Sequence, residues 1–422
     1  SGRSLNSRRA QSKLYPLSSE QVFEREDRYG AHNYHPLPVA IHKAKGVHVW
    51  DVEGRQYFDF LSAYSAVNQG HCHPKIVQTL REQAEHVTLT SRAFYNTALG
   101  EFEEYLCGLL GYEKVLPMNT GVEAAETACK LARRWGYDVK GIPANQAKMV
   151  FAAENFWGRS IAAISASTNP SSYKGFGPYL PGIEIVPYDD LPALERALAD
   201  PNVCSFMVEP IQGEAGVVAP SEGYLKGVRR LCTRAQGALH SRRDPDRLGP
   251  HEESGCASIN DDVRPDIVTL GKALSGGVYP CRPPCWQTTK SCWSVEARGA
   301  RLHLRRRTPS APRVAVTALR VLEEERMAEN AERLGHVFRA ELNKLPRDRV
   351  RLVRGKGLLN AIVVAPDMDA WQLCLQLKEK GLLAKPTHGD KIRLAPPLVI
   401  TEGELRQCIN IIGDAITQYK RP

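Results

Sequence analysis

The stretch Pro265-Asp-Ile-Val-Thr-Leu-Gly-Lys-Ala-Leu-Ser-Gly-Gly277 contains a single lysine, which follows a short apolar run and has glycines on both sides. The pattern predicts a buried strand at 267–270 and then a sharp turn of the backbone, which the flanking glycines allow. An amine at the dry end of a strand has its ammonium form disfavoured, so it can attack a carbonyl carbon and form a Schiff base. The sequence therefore predicts that Lys272 is catalytic, and the alternative is a solvated lysine in a loop.

A second feature lies at residues 114–130, where a short predicted strand runs into Asn119-Thr-Gly-Val122 and a strong helical pattern follows at once. The free N–H groups at the start of a helix form a binding site for anions, and Gly121 allows a phosphate to approach closely. The alternative is an ordinary helix cap formed by Thr120. Combined with Lys272, this turn predicts a cofactor that carries both an aldehyde and a phosphate, which is pyridoxal 5'-phosphate.

Two further segments place an arginine where it could bind a carboxylate. In Asn155-Phe-Trp-Gly-Arg159, the ring of Phe156 could stack on a planar cofactor and Arg159 could bind a carboxylate. The alternative for this segment is core packing beside a surface arginine. Arg393 stands alone among apolar residues, and a partly buried arginine needs an acidic partner from the protein or from a substrate.

The composition sets the class of protein. The chain has 422 residues, of which 42% are hydrophobic and 24% charged, and this predicts a soluble globular protein of two or three domains. No apolar run reaches about 18 residues, so we expect no transmembrane helix. The eleven cysteines are scattered, which favours reduced thiols in an intracellular compartment.

The first 19 residues differ from the rest of the chain, because they contain four basic residues, many serines and no acidic residue. This composition resembles the end of a mitochondrial transit peptide, and the alternative is an unstructured basic tail. The chain does not begin with methionine, so we expect it to be processed or incomplete.

The body of the chain alternates between helical and strand-like patterns, which favours an α/β fold with a mostly parallel sheet. Residues 47–60 predict a hairpin, and residues 123–135 predict a helix. Residues 314–345 predict one long helical stretch, and residues 351–399 predict a small α+β unit.

These motifs occur in the order found in the class III, or ω-amino, aminotransferases, and the chain resembles that family. The resemblance is greatest to the members that act on ornithine, and it spans residues 21–236, 260–280 and 313–415. The motifs that carry it are Tyr34-His-Pro, Asn119-Thr-Gly-Val-Glu-Ala, Asn155-Phe-Trp-Gly-Arg, Glu209-Pro-Ile-Gln-Gly-Glu, Leu270-Gly-Lys-Ala-Leu-Ser-Gly-Gly and Arg393-Leu-Ala-Pro-Pro.

The resemblance implies the α/β fold-type I architecture of pyridoxal-phosphate-dependent transferases. It has a large domain with a mainly parallel seven-stranded sheet and a small α+β domain built from both chain ends. We expect a basic tail at 1–20, the first part of the small domain at 21–60, the large domain at 61–312 and the rest of the small domain at 313–422. The family's active sites lie at a subunit interface, so we expect at least a homodimer.

The implied reaction transfers the δ-amino group of L-ornithine to 2-oxoglutarate, which gives glutamate 5-semialdehyde and glutamate. The implied location is the mitochondrial matrix. For the cofactor, the family's motifs imply that Lys272 forms the covalent bond and moves the proton, that Gly121 and Val122 bind the phosphate, and that Phe156 stacks on the ring.

The same motifs imply the substrate-binding residues. Tyr34 and Arg159 would hold the α-amino and α-carboxylate groups of ornithine, and Tyr64 would line the pocket. Arg393 would bind the α-carboxylate of 2-oxoglutarate or glutamate, and Glu214 would neutralise Arg393 while ornithine reacts.

Two segments depart from the family, at about 237–259 and 281–312. Arg242 stands where the family has the aspartate that pairs with the cofactor's ring nitrogen, and Arg301 to Arg307 replace a Gly-Ser-Thr-Tyr-Gly-Gly turn. We interpret both segments as translations in a shifted reading frame. Codons that encode Asp244 to Leu248 can read Ile-Gln-Thr-Gly one base later, and codons for Leu302 to Arg307 can read Ser-Thr-Tyr-Gly-Gly.

If both segments exist as written, we expect a missing central strand, no acidic partner for the ring nitrogen and a catalytically impaired relative with a binding role. The other alternative is a different ω-aminotransferase, such as one that acts on acetylornithine.

The formal net charge of +9 includes +6 from residues 281–312 and +3 from residues 1–20. The matched body is therefore nearly neutral, and we expect no nucleic-acid partner. The spacing of cysteines 281, 285 and 292 fits no usual zinc site, so we expect no metal.

Overall fold

A computed structural model describes residues 18–91, 93–242, 263–278, 306–307 and 309–420 of the chain. The helices are α1 (Ser19–Tyr29), α2 (Ser62–Ser65), α3 (Pro74–His86), α4 (Thr97–Leu110), α5 (Gly121–Asp138), α6 (Ile161–Ser165), α7 (Pro170–Tyr173), α8 (Leu191–Leu198), α9 (Tyr224–Arg234), α10 (Ser310–Glu324), α11 (Met327–Leu342), α12 (Ala370–Glu379) and α13 (Glu402–Thr417). The strands are β1 (Ile41–Lys45), β2 (His48–Asp51), β3 (Gln56–Asp59), β4 (Thr90–Ser91), β5 (Lys148–Ala152), β6 (Ile183–Val186), β7 (Val203–Val208), β8 (Ala238–Arg242), β9 (Ile267–Thr269), β10 (Arg306–Arg307), β11 (Val350–Lys356), β12 (Leu359–Val364), β13 (Leu382–Leu383), β14 (Lys385–Thr387) and β15 (Lys391–Leu394).

The central sheet has the strand order β6-β5-β7-β8-β9, and every pairing in it is parallel. All six residues of β7 and all three of β9 are buried, as expected for parallel strands that are covered on both faces. The predicted α/β fold with a mainly parallel sheet is therefore confirmed. The described part of the chain supplies five strands to this sheet, so the predicted count of seven is not tested by it.

Strand β8 corrects the expectation that a central strand is missing. Its residues pair with β7 from Ser205↔Ala238 to Val208↔Ser241, and Arg242 pairs with Thr269 of β9. Main-chain hydrogen bonds in a parallel sheet do not depend on side-chain identity, and residues 238–241 are all buried there. The imidazole of His240 has a polar partner, since its Nε2 lies 3.4 Å from Oγ1 of Thr269. The unusual sequence therefore still forms the strand between β7 and β9. The rest of the first departing segment lies outside the described residues.

The two ends of the chain meet in the smaller sheets. The predicted hairpin is confirmed, because β2 and β3 pair antiparallel from His48↔Phe58 to Trp50↔Gln56. Strand β13, from the C-terminal part of the chain, adds to β3 in parallel. Strands β11, β12, β15 and β14 form a separate four-stranded antiparallel sheet.

The predicted long helical stretch at 314–345 is wrong in one respect, since it is divided into α10 and α11. Arg326, which lies between them, has a left-handed φ of 50°, and this ends the first helix. The predicted domain boundary at 312/313 falls inside α10. The side chain of Thr317 in α10 makes a 3.0 Å hydrogen bond with Thr79 of α3.

The carboxyl ends of the central strands are the part of the fold that positions a site. Strand β7 leads directly to Glu209, and β9 leads through Leu270 and Gly271 to Lys272. Ligands bind at this edge of parallel sheets.

None of the described helices combines the length and apolar character needed to cross a membrane. The described residues also contain no group of three or more histidine, cysteine, aspartate or glutamate residues that could hold a metal. Cysteines 281, 285 and 292 and residues 1–17 lie outside the described residues.

Candidate active site

One cavity of about 680 Å³ lies at the carboxyl ends of β7 and β9. It collects seven of the nine site residues predicted from the sequence, which come from widely separated parts of the chain. These seven are Tyr34, Tyr64, Phe156, Arg159, Glu214, Lys272 and Arg393. The other two, Gly121 and Val122, begin α5 and are not among the lining residues.

Lys272 opens a short 3₁₀ turn directly after the buried strand, and it has a left-handed φ of 52°. Only 9% of its surface is exposed. The two glycines that follow are required by packing: a Cβ at Gly276 would lie 2.9 Å from Cγ2 of Ile76, and one at Gly277 would lie 2.5 Å from Cγ1 of Val67. The glycines therefore let the backbone turn tightly against the core while the lysine lines the cavity.

The segment 155–159 places an aromatic ring in the cavity and brings α5 close to it. The N–H of Phe156 donates to Oε1 of buried Glu209 at 2.8 Å, which fixes the backbone of the aromatic residue. Gly158 has a φ of 145°, and a Cβ there would lie 2.4 Å from Cγ2 of Val122. The N-terminus of α5 is therefore packed against the segment that carries Phe156.

Thr120 forms a capping box with Glu123 at the start of α5, as the alternative interpretation predicted. This cap accepts the N–H of Glu123. The N–H groups of Gly121 and Val122 belong to the first turn, whose donors have no partner in the helical hydrogen-bond pattern. The cap and the predicted phosphate site are therefore compatible, and phosphate binding by Gly121 and Val122 stays a prediction.

Two tyrosines form one side of the cavity. The hydroxyl groups of Tyr34 and Tyr64 are hydrogen-bonded to each other. Burial raises the pKa of Tyr64 well above its usual value, and the bond to Tyr34 adds to that shift. The Tyr64 phenol therefore stays protonated at neutral pH and can donate or accept hydrogen bonds.

The two arginines of the cavity differ in their surroundings. Arg159 is exposed, whereas only 3% of Arg393 is exposed. Arg393 donates to Oγ of Ser65 at 2.6 Å, while its Nε is buried and has no hydrogen-bond partner in the described part of the chain. Glu214 lines the same cavity, but no ion pair joins it to Arg393 among the described residues, so the neutralisation of Arg393 stays a prediction.

Sequence reasoning gave no role to Lys385, which also lines the cavity. Its Nζ lies 3.5 Å from the centre of the Tyr34 ring and donates to the carbonyl oxygen of His35 at 2.6 Å. The His35 ring stacks on Trp371 with a centroid distance of 4.3 Å. Lys385 lies in the span 313–415 that resembles the family, but nothing in that span indicated a contact with a segment 350 residues earlier.

Comparison with known proteins identifies the family. The family model described as Aminotransferase class-III matches residues 29–416. The chain is a class III aminotransferase. It is 59% identical to the mitochondrial ornithine aminotransferase of Rattus norvegicus over 412 residues, which cover 96% of this chain and 92% of the rat protein.

Solved structures agree with this assignment. The aminotransferase superposes on ornithine aminotransferase from Toxoplasma gondii with a TM-score of 0.92 and 42% identity, over 98% of this chain and 99% of that one. A second structure of the Toxoplasma enzyme has pyridoxal phosphate at partial occupancy in its active site. Acetylornithine aminotransferase from Elizabethkingia anophelis matches with a TM-score of 0.84 and 47% identity, over 96% and 100% of the two chains.

Class III aminotransferases use pyridoxal phosphate, and the described residues fit three parts of that cofactor. The buried amine of Lys272 suits its aldehyde, Phe156 suits the face of its ring, and the first turn of α5 suits its phosphate. The resemblance implies an aspartate at the ring nitrogen, and the sequence has Arg242 at that position, at the end of β8. The positive charge of an arginine does not suit that nitrogen.

Proposed function

We propose that this aminotransferase transfers the δ-amino group of L-ornithine to 2-oxoglutarate and produces glutamate 5-semialdehyde and glutamate. The observation that carries the proposal is a single cavity with one buried lysine, a pair of tyrosines and two arginines in different surroundings. Relatives named ornithine aminotransferase, at 59% identity over most of the chain, support the same reaction.

Ornithine has two amines, so the site must hold its α end and leave the δ-amine free to react. Tyr34 and Arg159 suit this task, because a phenol can hydrogen-bond the α-amino group while a guanidinium binds the α-carboxylate. Tyr64 holds the hydroxyl of Tyr34 through their hydrogen bond. The δ-amine is then directed toward Lys272.

Lys272 is the residue that moves the proton. Pyridoxal phosphate, when bound, supplies the electron sink that allows an amino group to leave one carbon and be taken up by another. An unprotonated lysine amine beside the reacting carbon can accept a proton there and return it to a different atom. Burial of Lys272 limits competition from water for that proton.

The second substrate, 2-oxoglutarate, carries two carboxylates and no amine. Arg393 is a buried cation with one described hydrogen bond and an unpartnered Nε, so an incoming carboxylate would satisfy it. We propose that Glu214 supplies negative charge near Arg393 when the positively charged amine of ornithine occupies the site. Such an exchange would let one cavity accept both substrates.

Initial rates with L-ornithine, N-acetylornithine and 4-aminobutyrate as amino donors test the proposal. An acetyl group converts the α-amine into an amide, which removes the positive charge that the Tyr34 hydroxyl would contact. We therefore expect kcat/KM for ornithine to exceed that for N-acetylornithine by about tenfold or more. An equal or higher value for N-acetylornithine would favour the acetylornithine alternative.

The segments at 237–259 and 281–312 are expected to differ in the cellular protein from the sequence as written. Peptide mass spectrometry of protein purified from its natural source should find Ile-Gln-Thr-Gly in place of the stretch 244–248 and Ser-Thr-Tyr-Gly-Gly in place of the stretch 302–307. Peptides with Arg305-Arg306 as written would contradict the frame-shift hypothesis. They would favour a catalytically impaired relative, because Arg242 would then stand at the cofactor's ring nitrogen.

We also propose that the protein acts as at least a homodimer in the mitochondrial matrix. Three large side chains between residues 89 and 95 are strongly exposed: Leu89 (56%), Phe94 (69%) and Tyr95 (95%). Clustered exposed apolar groups of this kind mark interaction surfaces. Several relatives, including the rat protein, are named mitochondrial, and protease protection in purified mitochondria would test the location.

Replacing both Phe94 and Tyr95 with aspartate is expected to shift the protein from dimer to monomer. Burial of two unpaired carboxylates at an interface costs several kcal/mol, roughly a thousandfold in the dissociation constant. Analytical ultracentrifugation measures the mass directly. Leu352→Asp is the control, because Leu352 is 44% exposed on the edge strand β11 and should leave the mass unchanged. An unchanged mass in the double variant would place the interface elsewhere.

Lys385→Met is expected to raise KM for ornithine with little change in KM for 2-oxoglutarate. The methionine keeps most of the apolar stem but loses the cation over the Tyr34 ring and the bond to His35. A cation–π contact contributes about 0.5–2 kcal/mol, which corresponds to an increase of about 2- to 30-fold. Lys380→Met, at an exposed position of the same region, is the control. Equal changes in both KM values would show that Lys385 does not act through Tyr34.

A further inference from the structure

The four residues of α2 have left-handed backbone conformations in succession, and none of them is glycine. Their φ angles are 51° for Ser62, 47° for Ala63, 57° for Tyr64 and 66° for Ser65. In this conformation the Cβ of an L-residue lies too close to the following carbonyl oxygen, so consecutive examples are rare. Such a backbone persists only where the surrounding structure holds it, and these segments concentrate at functional sites.

Asp59 and His71 hold the start of this turn. Oδ1 of Asp59 accepts the N–H groups of Leu61 and Ser62, both at 2.9 Å. Its Oδ2 lies 2.7 Å from Nε2 of His71, which donates to the carboxylate. His71 is itself fixed by two backbone hydrogen bonds with Gly46, of 2.8 and 2.9 Å. The carboxylate therefore connects the left-handed turn to His71, whose backbone is held by Gly46.

The turn contacts two residues that line the cavity, Tyr34 and Arg393. Tyr64 meets the hydroxyl of Tyr34, and Oγ of Ser65 accepts the 2.6 Å hydrogen bond from Arg393. Oγ of Ser62 donates to the carbonyl oxygen of Ala395 at 2.6 Å, which ties the turn to the chain just after Arg393. A change in the turn would therefore move a tyrosine and the partner of a buried arginine together.

We propose that Asp59 and His71 are positioning residues for the substrate groups that Tyr64 and Arg393 contact. Among the described residues, neither is part of the cavity lining, so they act through the backbone of the turn. The inference rests on the proposed function for the identity of those substrates. The alternative is that the Asp59–His71 pair only stabilises the fold, as a buried cap does anywhere in a protein.

Asp59→Ala and Asp59→Asn separate the two roles. Alanine removes the acceptor for both N–H groups, whereas asparagine keeps one oxygen for them. Its NH2 group can donate to Nε2 of His71 in the neutral tautomer that carries its proton on Nδ1. For alanine we expect KM for ornithine and for 2-oxoglutarate each to rise about tenfold or more, with kcat within about threefold of wild type. For asparagine we expect both KM values within about threefold of wild type. His71→Ala serves if Asp59→Ala does not fold, with a KM rise of about threefold or more expected.

A second substitution at Ala63 tests whether the left-handed backbone is the link. Ala63 is exposed, so glycine there removes little packing but makes the left-handed conformation easy to adopt. In Asp59→Ala/Ala63→Gly, we expect KM for both substrates to fall by about threefold or more from the Asp59→Ala value. The matched control is Ala84→Gly, at an exposed position inside α3, which should give no recovery.

Calorimetric binding of glutarate, an unreactive dicarboxylate, to the cofactor-loaded protein provides a readout without turnover. We expect Asp59→Ala to weaken that binding about fivefold or more, and Asp59→Asn to leave it nearly unchanged. If wild-type protein fails to convert ornithine but glutarate binding follows this pattern, the proposed function fails and the positioning role stands. Unchanged KM values and glutarate binding in Asp59→Ala, or equal recovery with Ala84→Gly, would overturn the inference.

Discussion

Lys272→Asn is expected to abolish transamination, with kcat lowered by about 10⁴-fold or more. Lys272 is the buried amine in the cavity, and we propose that it binds the aldehyde covalently and moves a proton at the reacting carbon. Asparagine is the better substitute than alanine, because Lys272 has a φ of 52° and asparagine tolerates that conformation. The variant should therefore fold, and its melting temperature should lie close to that of wild type.

Two measurements connect this loss to Lys272 itself. Reduction of the wild-type holoenzyme with borohydride, followed by peptide mass spectrometry, should place the cofactor on the peptide that contains residues 265–277. Lys174→Asn, at an exposed lysine directly after α7, should keep near-normal kcat. The assignment is wrong if the label appears on another lysine, or if Lys272→Asn retains more than about 1% of wild-type kcat.

The sequence predicted most of the residues that line the cavity, because local sequence patterns determine where the strands end and the helices begin. An apolar run before Gly271 and Lys272 predicted a buried strand end, and the strand and the buried lysine are both present. The 119–122 turn predicted a helix start, and α5 begins at Gly121. Carboxyl ends of neighbouring parallel strands meet at one edge of the sheet, so motifs distant in sequence converge there.

The features that the sequence did not predict depend on contacts between distant segments. Lys385 contacts Tyr34 only because the fold brings the segment before β1 together with β14. The left-handed turn at 62–65 contains no glycine, which is the residue that normally signals such a backbone. Its hydrogen bonds to Asp59 and Ala395 become visible only in three dimensions.

Strand β8 is an element that forms although the sequence predicted its absence. Its side chains do not resemble those of the family, and the sequence therefore predicted that a strand was missing. Backbone hydrogen bonding with β7 and β9 forms the strand nevertheless, so the sheet tolerates the substitution at residues 238–242. We therefore propose that any effect of this segment on the reaction arises from the charge of Arg242 and not from the loss of a strand.

Arg393→Gln is expected to remove most of the reaction with 2-oxoglutarate and to leave the reaction with ornithine nearly intact. Truncating one partner of a buried, hydrogen-bonded charge pair costs about 2–5 kcal/mol, which is about 30- to several-thousand-fold in kcat/KM. Glutamine can still donate toward Ser65, so the turn at 62–65 should keep its contact. Single-turnover experiments with each substrate alone separate the two half-reactions.

Arg159→Gln is the complementary variant, because we propose that Arg159 binds ornithine whereas Arg393 binds 2-oxoglutarate. Because Arg159 is exposed, its loss should cost less, about 1–3 kcal/mol, and should fall on ornithine. If the two arginines serve different substrates, the two variants will change the ratio of the half-reaction rates in opposite directions. If both variants slow both half-reactions equally, the carboxylates of ornithine and 2-oxoglutarate share one binding group, and Glu214 has no need to neutralise Arg393. The direction of that ratio therefore decides how one cavity reacts with a δ-amine in one half-reaction and an α-keto group in the other.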